Sequence, residues 1–368
     1  MLNYLLVPQD HSLSQGHRTS MQSLWQKHGG VVLRPCEDGF DSGGSAFACA
    51  FVDEDDPGTI YLYYSGASDK RWTHAAIGLA VSHDGVSFTK LSSLNPILDG
   101  STVDFNSSES VTPAVVRLRS HYYMFFAGSS MSGFIRHRRK IAVAYADDPT
   151  GPWRVLRIVA KPEGYWEGSS IDLGPCVAKV GQDEVLLYYS NLPSAIFFQS
   201  GWCRRRVGIL KVRVNSPKSI TVGRYRRNPL RHLNGTRGSP SESLFCPGYL
   251  LLEHRHCLMP SMSTYSAGFP YRQCIGIFSD DSPYFESPSA VTVVLDGEAE
   301  AKVALPKARI GIGLDSPSPV VKNGKVYLYY SIVDRHEGTW MTAVSIADMQ
   351  SLRRLADCTS QRSEPRGE

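Results

Sequence analysis

The sequence lacks the features that would indicate a membrane, metal-binding or nucleic-acid-binding protein. No stretch approaches the ~18 consecutive apolar residues of a membrane-spanning helix. None of the eight cysteines forms a CxxC pair, which argues against a zinc site. The formal charge is only +4 over 368 residues, which is too small to indicate binding to nucleic acid. We therefore expect neither a nucleic-acid partner nor a membrane partner.

We do not expect the first residues to form a secretion signal. MLNYLLVPQDHSL has no basic region followed by a long apolar region, so we expect a cytoplasmic protein with mostly reduced thiols. Basic residues cluster in RRR at 204–206 and in RYRR at 224–227. We expect these clusters to lie in solvated loops, with a groove for an acidic ligand as the alternative.

A repeated segment dominates what is present. Residues 313–331, GLDSPSPVVKNGKVYLYYS, contain an acid, a proline, a short apolar run, a glycine turn and alternating aromatic residues. Related stretches occur at 41–66, 104–129 and 167–191, with a weaker copy at 241–264. Their aromatic-rich strands begin near residues 60, 121, 184, 255 and 325. A period of roughly 60–70 residues is typical of a repeat architecture.

The repeat predicts an all-β fold. Segments such as IYLYYSG alternate with period two, glycine turns separate them, and no repeat contains a clear amphipathic helix of twelve or more residues. Each repeat is long enough for a four-stranded antiparallel sheet, so five repeats predict a five-bladed β-propeller. A β-sandwich is the competing all-β fold, but it does not explain five copies in one order.

The propeller is expected to form a single domain over residues 31–355. Residues 1–30 would form a leader that packs on the propeller, with a mildly helical stretch, HRTSMQSLWQKHG, at 17–29. Residues 356–368 are polar and would form a flexible tail.

Acidic residues stand at the start of each repeat. The first strand of a propeller blade begins at one mouth of the central channel, so acids there would surround one pocket. Acids close together repel and differ in pKa, which suits acid–base chemistry on a glycosidic bond. Alignment on the prolines groups Glu109, Asp172, Glu242 and Asp315, whereas a longer spacing groups Asp41, Asp104 and Glu167. Which acid of the second and third repeats faces the channel stays open.

These repeats and acids resemble the five-bladed propeller glycosidases, which include the arabinanases and xylosidases of family 43 and the invertases and levansucrases. The resemblance covers about residues 30–350. It implies an Asp, Asp and Glu triad in the first, third and fourth repeats, which corresponds to Asp41 in FDSGG, Asp172 in IDLGP and Glu242 in SESLFCP. Asp41 would be the base or nucleophile, Asp172 would orient the substrate and tune the acid, and Glu242 would be the general acid.

The resemblance implies a glycoside hydrolase or transglycosidase acting on a small furanoside, pentoside or short oligosaccharide. The candidate substrate-binding residues are three further acids and four residues in the loops between second and third strands: Glu109, Glu167, Asp315, Trp72, His74, Arg136 and Trp340. No cofactor is expected, since no ligand set supports the calcium ion that parts of the family hold.

The sequence also departs from the family: the invertase-like WMNDPNG and a family-type Asp-Pro at FDSGG are absent. Two alternatives therefore stay open. One is a propeller enzyme repurposed as a cyclase or isomerase in specialised metabolism, with a largely apolar pocket. The other is a non-catalytic glycan-binding or protein-binding propeller, with its acids paired to Arg or Lys.

Overall fold

The protein is almost entirely β-structure in a computed structural model. The structure describes residues 24–99, 109–129, 131–132, 135–136, 139–192, 205–231, 233, 243–266, 269–304, 312–334 and 337–360. In this part of the chain the strands can be divided into five groups of mainly consecutive antiparallel strands. The long strands of the first, second and fifth groups belong to one 13-stranded sheet, whereas the third and fourth groups are separate four-stranded sheets. The predicted all-β fold is confirmed.

The fold begins with strand β1, Trp25–Leu33, and the first group follows it. The first group contains three long strands and two short ones that pair with the third: β2 (Gly44–Phe51), β3 (Ile60–Ala67), β4 (Ala75–Ser82), β5 (Thr89–Lys90) and β6 (Leu98–Asp99).

The second group adds a small ribbon to a four-stranded antiparallel sheet. Its sheet strands are β7 (Glu109–Leu118), β8 (His121–Ser129), β11 (Lys140–Ala146) and β12 (Arg154–Ala160), and the ribbon is β9 (Met131–Ser132) with β10 (Ile135–Arg136). The third group is a separate four-stranded sheet of β13 (Ser170–Lys179), β14 (Glu184–Leu192), β15 (Val207–Ser216) and β16 (Ser219–Arg224).

The fourth group is also a separate four-stranded sheet. Its strands are β17 (Ser243–Leu252), β18 (Arg255–Ser266), β19 (Phe269–Asp280) and β20 (Thr292–Asp296), followed by helix α1 (Gly297–Ala304). The fifth group contains β21 (Ile312–Lys322), β22 (Lys325–Asp334) and β23 (Trp340–Asp348), and helix α2 (Met349–Ser360) follows it.

Strand β1 completes the fifth group because it pairs antiparallel with β23. The helical expectation for residues 17–29 is therefore wrong at 25–29, where Trp25 is a buried part of this strand, and residues 17–23 lie outside the described part. Tertiary pairing with the open edge of β23 decides the conformation over weak helix propensity. Helix α2 likewise includes residues 356–360, which the sequence assigns to the tail, and Ala356 is buried.

Apolar clusters join the five groups in chain order. One cluster lies between each successive pair of groups, and a further cluster joins the fifth group to the first through residues such as Tyr329 and Tyr64. The tyrosines of the alternating runs, including Tyr63 and Tyr189, are fully buried there. Since burial of one large apolar side chain stabilises a fold by about 1.5–3 kcal/mol, these runs hold neighbouring groups together.

The first strands of the groups also lie side by side. Strands β2, β7, β13, β17 and β21 contact one another in that order, and β21 contacts β2. The N-terminal ends of these strands therefore meet at one region of the molecule, where the site described next is found. No helix in the described part of the chain is long and apolar enough to cross a membrane.

Candidate active site

A pocket of about 370 Å³ lies where the first strands begin. Its lining combines three acids, four basic residues and an aromatic group with small polar and apolar residues: Glu109, Asp172, Asp315, Lys70, Arg71, Arg139, Arg205, Phe47, Trp72, Trp340, Val111, Thr112, Leu192, Cys246 and Ser316. Small-molecule sites commonly have this size and this mixture of apolar walls with a few polar groups.

A bulge near the start of each first strand shapes the pocket. Four residues at these bulges have positive φ angles and line the pocket: Phe47, Thr112, Cys246 and Ser316. Serines of a neighbouring group support three of them. The amides of Phe47, Thr112 and Cys246 donate to Ser331 Oγ at 2.7 Å, Ser65 Oγ at 3.0 Å and Ser190 Oγ at 3.5 Å, respectively. Such φ angles are unfavourable for residues other than glycine. The surrounding structure must therefore hold these residues in this conformation, in which they line the pocket.

The strand register shows which acids occupy equivalent positions. Asp172 pairs with Ser190, and Asp315 pairs with Ser331. The corresponding positions of the other groups hold Ala46, Val111 and Phe245. Two of the five equivalent positions are therefore acidic, in the third and fifth groups.

Arg139 lies between two of the pocket acids. Its guanidinium donates to Glu109 Oε1 at 2.5 Å and to Asp172 Oδ2 at 2.7 Å, and all three side chains are almost fully buried. Burial opposes the charge of Arg139, but the carboxylates of Asp172 and Glu109 outweigh it and raise the pKa of Arg139. This arginine keeps two buried carboxylates together in one small region.

Arg205 forms the opposite side of the same charged network. Its guanidinium donates to Ser190 Oγ at 3.0 Å, lies 3.6 Å from Asp172 Oδ2 and stacks 4.2 Å from the centre of the Phe245 ring. Its side chain is only 7% exposed. The expectation of a solvated loop is therefore wrong for this member of RRR, because an internal acid and an aromatic ring bind it.

Asp315 has a different environment from the other two pocket acids. Its Oδ1 accepts hydrogen bonds from the Ser316 amide at 2.6 Å, from Ser316 Oγ at 3.1 Å and from Ser261 Oγ at 3.5 Å. Burial raises the pKa of Asp315; Arg205 lowers it, while Asp172 raises it further. The environment of Asp315 therefore favours its neutral carboxyl form.

Cys246 also lines the pocket, but its environment suppresses thiolate chemistry. Burial, followed by the carboxyls of Asp315 and Asp172, raises the pKa of the Cys246 thiol well above its ordinary value. Because the thiolate is the nucleophilic form, this cysteine is not suited to covalent catalysis.

Three aromatic rings form one wall of the pocket. Phe47 lies between Trp72 and Trp340, with ring centres 5.0 Å apart in both pairs. Trp72 is in the loop between β3 and β4, and Trp340 begins β23. The sequence predicts that both tryptophans contact substrate, because an indole ring can stack on a sugar ring.

Asp41 is a buried residue that does not line this pocket. Its Oδ2 accepts hydrogen bonds from Ser45 Oγ and Tyr64 Oη, both at 3.0 Å, and it forms an ion pair with Lys90. Burial favours the neutral acid, but Lys90 and Ser45 together hold the pKa of Asp41 below its ordinary value. A side chain on Gly66 would lie 2.6 Å from the Asp41 Cβ, so the backbone closes tightly over this pair.

Glu167 repeats the arrangement of Asp41 in the third group. It accepts a hydrogen bond from Tyr189 Oη at 2.5 Å and is paired with Arg224 at 2.8 Å. In both groups an asparagine amide contacts the tyrosine hydroxyl and also bonds the third strand: Asn95 in the first group and Asn228 in the third. This likeness matches the longer of the two sequence alignments, and Glu167 does not line the pocket.

The remaining candidates lie in different places. Glu242 lies outside the described residues, so its role stays a prediction. His74 is exposed and does not line the pocket, and Arg136 lies in β10. Among the described residues, no group of three or more His, Cys, Asp or Glu side chains could hold a metal ion.

Sequence reasoning did not identify Arg139 as a site residue. The run RHRRK at 136–140 gives no signal that separates Arg139 from the other basic residues of the run. The structure places it 8% exposed between two acids from different groups, a contact over 30 residues of chain. Thr112 is also not predicted from the sequence as a site residue, although its hydroxyl donates to Asp172 Oδ1 at 3.2 Å.

The fold is that of solved glycoside hydrolases. A family-43 glycoside hydrolase described as thermostable matches with a TM-score of 0.55 at 13% identity, covering 82% of this chain and 88% of that chain. An exo-1,5-α-L-arabinanase from a bovine ruminal metagenomic library matches with a TM-score of 0.51 at 13% identity, covering 84% and 94%.

A third solved structure is a family-117 glycoside hydrolase produced by the marine bacterium Zobellia galactanivorans. It matches with a TM-score of 0.54 at 12% identity, covering 88% of this protein and 89% of that one. No family model and no curated protein matches the sequence. The predicted resemblance to the propeller glycosidases is therefore confirmed at the level of the fold, at identities low enough that only the fold follows.

Proposed function

We propose that this protein is a glycoside hydrolase-like enzyme that acts on a small furanoside, pentoside or short oligosaccharide. The reaction would use carboxyl groups of the central pocket as acid and base. The observation that carries the proposal is that acids from three strand groups, Glu109, Asp172 and Asp315, line one pocket beside an aromatic wall.

The proposal includes a five-bladed propeller in which each strand group is one blade. Three observations support it: the first strands contact one another in chain order, β21 contacts β2, and an apolar cluster joins the fifth group to the first. Strand β1 would supply the outer strand of the fifth blade, which ties the start of the domain to its end. In such a propeller the first strands begin around one mouth of the central channel, which is where the pocket would lie.

The size of the pocket supports a small substrate. A volume of about 370 Å³ is at the lower end for ligand pockets, and tryptophan faces along one wall suit a sugar ring. The exo-arabinanase with a similar fold is named for an arabinan-degrading activity, which favours testing pentosides and furanosides first.

Of the two triad members that lie among the described residues, Asp172 lines the pocket and Asp41 does not. We propose that Asp172 takes part in the reaction, and that Glu242 stays a candidate because the following strand, β17, brings Cys246 to the same pocket. Asp41 would instead stabilise the segment that leads into strand β2, through its contacts with Lys90 and Tyr64.

The test is a screen of 4-nitrophenyl glycosides and short arabino- and xylo-oligosaccharides with wild type, Asp172→Asn and Glu242→Gln. We expect wild type to hydrolyse at least one substrate and Asp172→Asn to lose roughly 10²-fold or more in kcat/KM. Asp183→Asn is the matched control, since this aspartate lies at the surface away from the pocket. Calorimetric binding of sugars without any turnover would instead support a glycan-binding protein.

A further inference from the structure

We propose that Asp315 is the proton donor of the reaction and that Asp172, fixed by Arg139, is its ionised partner. This inference rests on the proposed function and assigns the donor role to the fifth strand group, not to the fourth. It follows from how differently the protein surrounds two carboxyls that occupy equivalent positions in their strands.

The surroundings of Asp172 suit the carboxylate form. One oxygen faces the Arg139 guanidinium at 2.7 Å, and the other accepts from Thr112 Oγ1 at 3.2 Å and from the Leu173 amide at 3.1 Å. Arg205 adds a second positive charge at 3.6 Å. Each of these contacts stabilises the carboxylate form, because a hydrogen-bond donor or a positive charge makes it.

The surroundings of Asp315 suit a protonated acid. All of its hydrogen bonds converge on Oδ1 and come from Ser316 and Ser261, which are neutral. Among the described residues, no lysine or arginine lies within ion-pairing distance of its carboxyl. Oδ2 has no hydrogen bond within the described protein, and the residue lines the pocket, so this oxygen can carry a proton for a ligand.

The charged and titratable groups around Asp315 support that assignment. Burial raises the pKa of Asp315, Arg205 opposes this, and the Asp172 carboxylate adds to the increase. The nearby Cys246 thiol stays neutral because burial raises its own pKa. A carboxyl with a raised pKa close to a second carboxyl is an arrangement used for acid–base catalysis in glycosidases.

The proposed hydrolysis needs no reactant other than water. Asp315 gives its proton to the glycosidic oxygen as the bond from that oxygen to the anomeric carbon breaks, and the bonding electrons stay on the departing oxygen. Water attacks the anomeric carbon and passes a proton to the Asp172 carboxylate. Exchange with solvent returns the proton from Asp172 and reprotonates Asp315.

Glycosides with different leaving groups test the donor role. The 2,4-dinitrophenolate leaving group of a 2,4-dinitrophenyl glycoside departs without protonation. The methoxide or phenoxide leaving group of a methyl or phenyl glycoside of the same sugar requires a proton donor. For Asp315→Asn we expect kcat/KM to fall roughly 10²–10⁴-fold with the poor leaving groups and less than about tenfold with the dinitrophenyl glycoside. Asp183→Asn should match wild type on both.

A carboxyl ¹³C NMR titration of wild type and Asp315→Asn gives a readout independent of turnover. We expect one aspartate that titrates above the ordinary aspartate range in wild type and is missing from the variant. Equal losses on both leaving groups, or no such aspartate, would overturn the donor role while leaving the hydrolase proposal in place. If wild type hydrolyses no glycoside, the proposed function fails, and the donor role fails with it.

Discussion

The buried pair of Asp41 and Lys90 provides a sharp test of which acids serve structure and which serve chemistry. The side chain of Asp41 is 2% exposed and that of Lys90 is 16% exposed. Lys90 also donates to the backbone oxygen of Arg34 and to Ser45 Oγ, so it connects the segment before β2 to strand β5. We therefore predict that Asp41→Asn and Lys90→Met both weaken the fold.

The expected magnitude follows from burial. Removing one partner of a buried ion pair leaves an uncompensated charge and typically costs about 3–5 kcal/mol, a large part of a total stability of about 5–15 kcal/mol. The double variant Asp41→Asn, Lys90→Met leaves neither charge unpaired. Its loss should be smaller than the sum of the two single losses, with a coupling energy of about 1–3 kcal/mol.

The pH dependence has a definite sign. The pKa of Asp41 is lowered in the folded protein, so ionised Asp41 adds stability above the ordinary aspartate pKa. That contribution is lost as the pH falls through the lowered folded-state pKa. The stability difference between wild type and Asp41→Asn should therefore be largest at neutral pH and shrink in the acid range.

Urea denaturation followed by tryptophan fluorescence measures these differences, and assays on the folded fraction measure activity. Glu167→Gln is the matched comparison, because Glu167 has the equivalent tyrosine and a cationic partner in Arg224. We expect both variants to lose stability and to keep kcat/KM per folded molecule within about threefold, since neither acid lines the pocket. Unchanged stability with abolished activity in Asp41→Asn would refute this reasoning and restore Asp41 as base or nucleophile.

Three further predictions concern the pocket. Arg139→Met should cost about 3–5 kcal/mol in urea denaturation, because the carboxylates of Glu109 and Asp172 lose the cation between them. Asp315→Asn should raise Tm at pH 7 by a few degrees: its raised pKa means that ionisation costs stability as pH rises, and asparagine removes that cost. Trp340→Ala should weaken sugar binding roughly tenfold in calorimetry, while Trp25, away from the pocket, should report an intact fold by fluorescence.

Strand positions can be read from the sequence because burial imposes a period of two. The five aromatic-rich runs are predicted near 60, 121, 184, 255 and 325, and β3, β8, β14, β18 and β22 begin at those residues. Each run buries its rings between neighbouring strand groups. Alternation with a period of two is a local pattern, so these strands can be predicted without knowing which distant residues they contact.

Non-local pairing explains the elements that the sequence did not predict. Residues 25–29 form a strand because β1 pairs with β23, more than 300 residues away in the chain. The helix α2 was missed because its first residues continue the pattern of β23, although Leu352 and Ala356 are buried against the fourth and fifth groups. In both cases the deciding partner is remote in sequence.

The identity of the pocket acids depends on bulges, which no pattern in the sequence locates. One residue more or less before a bulge moves a side chain from the pocket to the interior. Asp41 and Asp315 both stand near the start of a repeat, yet the first pairs with Lys90 and the second lines the pocket. Acids at the repeat starts therefore occupy two different environments, which differ in whether the side chain lines the pocket. Asp41 is held outside the pocket by Lys90, Tyr64 and Ser45, which fits the structural role proposed for it. Asp172 is instead held by arginine while it lines the pocket, which fits the role in the reaction proposed for it.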